Sequence, residues 1–266
     1  MVLSLFDAAT FASGGLVGAI LGLIGGGGSV LAVPLLVYGG GVASPHIAGG
    51  ASALAVSVSA LTNLFAHARA ANVKWACASV FTLAGVAGAA IGSTVAKWVD
   101  GQKLLALFGL LMIVVGGSML RTPKRPDQAD VRLTRKSAAY LLPRLVGFGA
   151  GVGVLSGFFG IGGGFLVVPA LLAATAMPMI AAVETSLVSV AAFGATTWIN
   201  YALSSLVDMR IAVVFILGGV LGGFSGVALG KRLAKHRSAL RIVFAIGVVT
   251  VGVYVVGRGA APLLAR

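Results

Sequence analysis

Two long stretches of this chain carry no Asp, Glu, Lys or Arg: residues 8–45 and residues 145–183. Both are too apolar to face water. A single helix over either range, at about 1.5 Å per residue, would far overshoot a hydrocarbon core of ~30 Å. A cluster of glycines interrupts each stretch, at Gly25–Gly28 and at Gly160–Gly164. Because glycine is a poor helix former and permits unusual backbone angles, these clusters predict breaks in two membrane-embedded helices.

The composition places most of the chain in lipid. Of its 266 residues, 59% are hydrophobic and 9% are charged, whereas soluble domains carry about 25% charged residues. The 40 glycines fit this reading, because small residues let membrane helices approach closely. The net charge of +13 does not indicate nucleic-acid binding, because Lys and Arg cluster between apolar spans, as they do in cytoplasmic loops of membrane proteins. We therefore expect a protein of the lipid bilayer with no nucleic-acid partner.

The two glycine clusters belong to an internal repeat. The thirteen residues that begin at Gly22 match the thirteen that begin at Gly157 at seven positions, and the two sets are 135 residues apart. With one residue of slippage the match continues at an offset of 134, so that Lys97 aligns with Lys231. The glycines of the preceding spans align at the same offset: Gly85, Gly88 and Gly92 with Gly219, Gly222 and Gly226. Internal repeats of this kind are common in transporters.

Each half contains one broken segment followed by three ordinary spans. We predict a first repeat over residues 1–120 and a second over residues 138–266, joined by a basic linker, residues 121–137. The ordinary spans are predicted near His46–Ala66, Trp75–Ala96, Leu104–Leu120, Ile180–Leu203, Ile211–Gly230 and Ile242–Val256. The predicted fold class is an all-α polytopic membrane protein.

The loop charges indicate how the two halves are oriented. If each broken segment crossed the membrane completely, the basic linker and the basic 231–241 loop would lie on opposite sides, against the positive-inside rule. If each segment returns to the side from which it entered, both loops share a side with Arg69 and Lys74. That side then holds 13 Lys and Arg residues, against 5 on the other. We therefore predict two inverted repeats, each a re-entrant broken helix pair plus three transmembrane helices, with a cytoplasmic linker and both termini on the opposite face.

A helix break near the middle of the membrane can bind an anion. Backbone N–H groups at the N-terminus of a half-helix lack helical acceptors and carry the positive end of the helix dipole. Small residues at the break allow a ligand to reach these groups; the alternative is that the glycines serve only close helix packing. We expect substrate-binding positions at Gly26, Gly27, Gly28, Ser29, Gly162, Gly163 and Gly164.

The span after each break supplies polar side chains. Ser52 in the first half aligns with Ser186 in the second, which follows Thr185. Hydroxyl groups can donate to an oxyanion, although each could equally bond to a carbonyl of its own helix. Asn63 and Asn200, late in the same spans, are weaker candidates for substrate binding and could instead join helices.

Glu184 is the only acidic residue well inside an apolar span. A carboxylate in lipid is costly and favours its protonated form, so Glu184 is a candidate for proton coupling. The alternatives are a neutral structural residue or a partner of Arg144. The three histidines have no Cys or carboxylate at metal-ligand spacing, so we expect no metal and no cofactor. We also expect no catalytic residues, and hence no enzyme.

These residues resemble the sulfite exporter TauE/SafE family of membrane permeases over nearly the whole chain. The resemblance rests on Gly22–Ser29 with Pro34, on the copy Gly157–Pro169, and on Glu-Thr-Ser at 184–186, where the family usually has Gly-Thr-Ser. It implies a secondary transporter, usually an exporter, of small sulfur-containing anions such as sulfite, sulfonates or sulfoacetate, in a bacterial-type inner membrane. The alternative is an anion or small-solute channel with two re-entrant half-helices. A homodimer is compatible with either.

Overall fold

The computed structural model describes residues 5–24, 26–67, 73–120, 135–232 and 237–264, which form helices joined by short loops. The α-helices of this part of the chain are α1 (Leu5–Ile24), α2 (Ala32–Pro34), α3 (Pro45–His67), α4 (Trp75–Ala96), α5 (Gly101–Leu120), α6 (Arg135–Phe159), α7 (Gly164–Thr175), α8 (Met179–Ala202), α9 (Met209–Arg232) and α10 (Arg237–Leu264). A 3₁₀-helix (Gly26–Leu31) precedes α2 and a π-helix (Leu35–Gly39) follows it. We call residues 26–39 the first broken segment and residues 160–175 the second broken segment.

The predicted all-α membrane fold class is confirmed. Seven helices in the described part of the chain are long and apolar enough to cross a membrane, namely α3, α4, α5, α6, α8, α9 and α10. All six predicted ordinary spans are among them; five have ends within three residues of the predicted ones, whereas α10 begins five residues before and ends eight residues after its predicted span. Shorter apolar helices occur at Leu5–Leu21, Gly28–Gly39 and Gly164–Thr175. The seventh long helix, α6, begins at Arg135, so it includes the last three residues of the predicted linker; residues 121–134 lie outside the described part.

The chain leaves the α-helix at both predicted breaks. Helix α1 ends at Ile24, immediately before the first glycine cluster, and α6 ends at Phe159, immediately before the second. A regular α-helix resumes only at Gly164 in the second half. In the first half a 3₁₀-helix, one short α-turn and a π-helix follow one another. The glycine clusters therefore act as helix breakers inside apolar sequence, as their low helix propensity predicts.

Glycines hold the helices together along two closely packed seams, α1 against α9 and α4 against α6. A Cβ atom added at Gly18 would overlap the carbonyl oxygen of Gly219, and one added at Gly153 would overlap that of Gly85. Backbones can approach this closely only where side chains are absent. Because each seam joins one helix from each half of the sequence, neither half forms a separate bundle.

The contacts also fix the relative directions of helices in the second half. Along α4 and α6 the contacts advance together, from Phe81 with Gly149 to Gly85 with Gly153, so these helices run parallel. Helix α4 runs parallel to α8 as well, from Thr82 with Ser189 to Lys97 with Asn200. Because α6 and α8 run in the same direction, residues 160–178 return the chain to the side from which α6 came.

The helices on either side of the first break are also parallel. Contacts between α1 and α9 advance together, from Gly14 with Phe215 to Gly18 with Gly219. Helix α3 also runs along α9: Gly50 lies against Val207, ahead of α9, and residues 55–59 border one cavity with residues 215–219. Since α1 and α3 are therefore parallel, residues 26–44 return the chain to the side from which α1 came.

Helices α3 and α8 pack at the centre in opposite directions. Contacts join Gly50 to Tyr201, Ala53 to Gly194, and the Ser57 hydroxyl to the Ala191 carbonyl at 2.8 Å. Helices α5 and α10 are likewise antiparallel, with Gly109 against Gly252 and Gly116 against Ala245. This arrangement places both broken segments beside the central α3/α8 pair.

Candidate substrate site at the two helix breaks

The second break is a tight turn made by glycines with left-handed backbone angles. Gly160, Gly162 and Gly163 have φ values of +68°, +63° and +75°, which side chains rarely tolerate. Gly163 is the N-cap of α7, and its carbonyl accepts from the backbone N–H groups of Leu166 and Val167, each at 2.9 Å. The first N–H groups of α7 precede these donors and have no acceptor within their own helix.

This turn lies inside the protein rather than at its surface. All residues from Gly160 to Val168 are buried. A Cβ atom added at Gly162 would lie 2.7 Å from Val56 Cγ1 of α3, and one added at Gly49 would lie 3.6 Å from Gly160 Cα. The α7 N-terminus is therefore enclosed by the central helices, and its dipole acts in surroundings with little screening by water.

The first break has the same glycines but a less regular continuation. Gly28 and Ser29 are buried, and a Cβ atom added at Gly28 would lie 2.7 Å from the Leu21 backbone nitrogen. Gly26 and Gly27 belong to the 3₁₀-helix, and their surroundings lie outside the described part. The 3₁₀-helix packs against α7, so the structure brings the two broken segments into contact.

The three predicted hydroxyl groups have different surroundings. Ser52 of the first half reaches the second break, where its hydroxyl donates to the carbonyl of Gly160 and, at 3.1 Å, to that of Gly49. Thr185 accepts from the backbone N–H of Lys74 at 3.1 Å. Ser186 donates to the carbonyl of Val183 at 2.7 Å. Thus Ser52 belongs to the second break, whereas the other two lie near the start of α8.

Asn200 joins helices in this structure. Its side-chain amide donates to the Ala90 carbonyl, the Ser93 hydroxyl and the Thr94 hydroxyl, all on α4. Lys97, at the end of α4, donates to the backbone and side-chain oxygens of Asn200. Partial burial lowers the pKa of Lys97. Asn63 is exposed in the last turns of α3, so neither asparagine is brought to the breaks.

Glu184 is buried in the second turn of α8. It precedes Gly194, an α8 residue that lies against the second break, by ten residues, or about 15 Å of helix. Arg144, considered as its partner, lies on the exposed face of α6 with its guanidinium 3.7 Å from the centre of the Tyr140 ring.

The sequence reasoning missed Ser156, whose hydroxyl lies beside the second break. Its Oγ is 3.0 Å from the position that a Cβ at Gly163 would occupy. The available signal was that Ser156 is the only polar side chain between Leu145 and Phe159. Within the described residues no group of three or more His, Cys, Asp or Glu side chains could hold a metal ion. The chemistry available at the second break is therefore that of neutral hydrogen-bond donors and a helix dipole, which suits an anion.

Seven candidate spans and two buried breaks define a multi-pass integral membrane protein with the architecture of a transporter. The chain belongs to the sulfite exporter TauE/SafE family, whose model matches residues 10–255. The predicted family is thereby confirmed.

The curated relatives carry transporter descriptions. A probable membrane transporter protein of Xylella fastidiosa (strain Temecula1) is 49% identical over 261 residues, which cover 96% of this chain and 97% of the relative. The probable membrane transporter protein YunE of Bacillus subtilis is 27% identical over 92% of this chain and 94% of its own length. No solved structure gives a significant match. The protein is thus a membrane transporter of this family.

Proposed function

We propose that the protein is a secondary transporter, working as an exporter, of small sulfur-containing anions such as sulfite, sulfonates or sulfoacetate. The observation that carries the proposal is the enclosed second break, where the N-terminus of α7 lies among buried neutral groups against the first broken segment. An oxyanion gains hydrogen bonds and dipole stabilisation there without a fixed positive charge. The family, described as sulfite exporters, supports sulfur oxyanions as the substrate class.

The contacts between matched positions support an inverted repeat. Ser57 bonds to Ala191, the position that aligns with it at an offset of 134. The repeat aligns Gly18 with Gly153 and Gly219 with Gly85. The Gly18–Gly219 contact of one seam therefore has its counterpart in the Gly153–Gly85 contact of the other. Matched helices that cross in opposite directions are related by a two-fold axis in the membrane plane. Transporters built this way can open to either side by moving one set of helices against the other.

The arrangement of basic loops supports a cytoplasmic linker and insertion in the inner membrane. Single cysteines placed in the 121–137 linker and in the 231–241 loop should both be shielded from an impermeant thiol reagent added outside intact cells. Cys77 would first be replaced by Ala, because it is the one native cysteine. Labelling of one loop but not the other would exclude the inverted arrangement.

Proton coupling through Glu184 is part of the proposal. The carboxyl group is buried and lies about 15 Å along α8 from the second break. Its protonation could change how α8 packs as the site opens to one side or the other. Coupling then works through movement of α8 rather than through direct contact between Glu184 and the anion.

The decisive test is flux in proteoliposomes across sulfite, sulfate, sulfoacetate, taurine and thiosulfate. A transporter should show saturable flux of one or more of these solutes, driven by an imposed gradient. Flux that rises without saturation would identify the channel alternative. No flux of any of these solutes from well-folded protein would contradict the proposed substrate class.

A further inference from the structure

The two breaks differ at one matched position, which lies beside a matched and buried glycine in each break. Gly28 and Gly163 are 135 residues apart, and so are Leu21 and Ser156. A Cβ atom added at Gly28 would lie 2.9 Å from Leu21 Cγ, and one added at Gly163 would lie 3.0 Å from Ser156 Oγ. The same place beside the glycine is therefore apolar at the first break and carries a hydroxyl at the second.

The Ser156 hydroxyl is completely buried, and it has no hydrogen-bond partner among the described residues. Most buried hydroxyls in proteins are paired, because an unpaired one loses its bonds to water without replacement. Ser156 stands next to the N-cap of α7, where the first backbone N–H groups also lack helical acceptors. The unpaired hydroxyl therefore lies beside the first turn of α7, whose first N–H groups have no acceptor in their own helix.

The hydroxyl of Ser52 already makes a hydrogen bond at this break. It donates to the carbonyl of Gly160 and so holds the turn in its left-handed conformation. The Ser156 hydroxyl, which also lies beside the turn, makes no hydrogen bond to the described residues and can therefore bind a ligand.

We infer that the transported anion binds at the second break alone, with the Ser156 hydroxyl and the first N–H groups of α7 as its donors. The inference rests on the proposed function and deepens it. An –SO₃ group has three oxygens, which match one hydroxyl and two backbone donors. Leu21 makes the corresponding place at the first break an apolar wall, so one anion binds per chain. Since Gly160–Val168 are buried, the anion enters when the central helices part.

Binding to the purified full-length protein tests this inference, with sulfite and sulfoacetate as probes in isothermal titration calorimetry. Ser156→Ala removes one hydrogen bond to a charged group and should raise the Kd about tenfold or more. Ser189→Ala is the matched control, because Ser189 is also buried but is already paired with the Thr82 hydroxyl at 2.7 Å. It should keep the wild-type Kd even if the protein melts at a lower temperature. Ser156→Ala with the wild-type Kd would overturn the inference.

Exchange of the two side chains gives an independent test. Ser156→Leu should abolish binding of both probes, whereas Leu21→Ser should leave the Kd of the site at the second break unchanged. Two anions per wild-type chain would place a site at each break, and binding lost in Leu21→Ser but kept in Ser156→Leu would place it at the first; either result would overturn the inference. Failure of wild type to bind or transport either probe contradicts the proposed substrate class itself, so the two failures are distinguishable.

Discussion

The two broken segments begin from matched sequence and adopt different local structures. At the second break, three glycines with positive φ make a sharp turn, and α7 then runs as a regular helix through Pro169. At the first break, the chain passes through a 3₁₀-helix, and Pro34 is followed by a π-helix. Proline removes one backbone donor in both cases, but only in the first does the helical hydrogen-bond pattern change next to it. The matched glycines and prolines therefore give both segments a helix break, but they do not give the two breaks the same backbone geometry.

The two copies of the repeat make equivalent contacts in the seams but not at the breaks. In the seams, matched glycines meet matched carbonyls, so the two copies are equivalent. At the breaks, the glycines are matched but their neighbours are not, because Leu21 stands where the second copy has Ser156. The two copies therefore share the way in which their helices pack, while one adjacent side chain sets the chemistry of each break.

The largest effect is expected in the seams, where the two copies should behave alike. Gly18→Leu and Gly153→Leu each drive a side chain into a backbone carbonyl of the partner helix, and both should prevent recovery of monodisperse protein, since a backbone cannot relax as a side chain does. Size-exclusion chromatography of the fluorescently tagged protein measures this. Gly151→Leu is the control on α6, because no atom lies within 4 Å of a Cβ there. Normal recovery of either seam variant would contradict the packing.

At the breaks, the matched glycines should separate binding from transport. Gly163→Val strains a residue at φ +75° and crowds Ser156, so both anion binding and flux should fall to background. Gly28→Val crowds Leu21 and should also abolish flux, because the first broken segment must shift during transport. Sulfite binding should persist, because the site lies at the second break. Calorimetry and proteoliposome flux on inserted protein measure the two effects. Wild-type flux in both variants would mean that the glycines serve packing only.

The two matched serines should differ in their contribution to stability. Ser52→Ala removes a bond between the halves, to Gly160, and should lower the free energy of unfolding by about 1–2 kcal/mol. Ser186→Ala removes a bond within one helix turn, to Val183, and should cost less than about 0.5 kcal/mol. Thermal unfolding in detergent compares them. Equal shifts in melting temperature would show that the hydrogen bond between the halves stabilises the protein no more than the bond within one helix.

The smallest expected effect is a change in pH dependence at Glu184, which aligns with Gly50 in the first half. Glu184→Gln keeps the shape and hydrogen-bonding capacity of the protonated acid but cannot release a proton. It should still transport, with initial flux that is flat between pH 5 and 8 where wild type varies. Asp100→Asn is the control, because Asp100 caps α5 through the backbone N–H groups of Gln102 and Lys103 and Asn can replace it. Parallel profiles for wild type and Glu184→Gln would leave Glu184 a structural residue.

The sequence by itself determined the apolar spans, the positions of both breaks and the family. These follow from properties read along the chain: runs without charge, glycine clusters and the repeat at 135 residues. The ends of five spans came within three residues because a helix in lipid continues as long as its side chains are apolar, whereas α10 extends beyond its predicted span at both ends. The substrate positions and the inverted arrangement remain predictions, supported by the contacts on which the proposed function rests.

Only the tertiary structure decided which side chains meet at each break. It brings Ser52 to Gly160, which lies 108 residues away. It places the side chain of Asn200 against α4 and Lys97 rather than at a break, and it sets Ser156 beside Gly163. Local patterns could not reveal these contacts, because a hydroxyl or amide in an apolar helix has the same sequence signature whether it faces its own carbonyls, a neighbouring helix or a ligand. Its partner is chosen by the packing of helices that are distant in the chain.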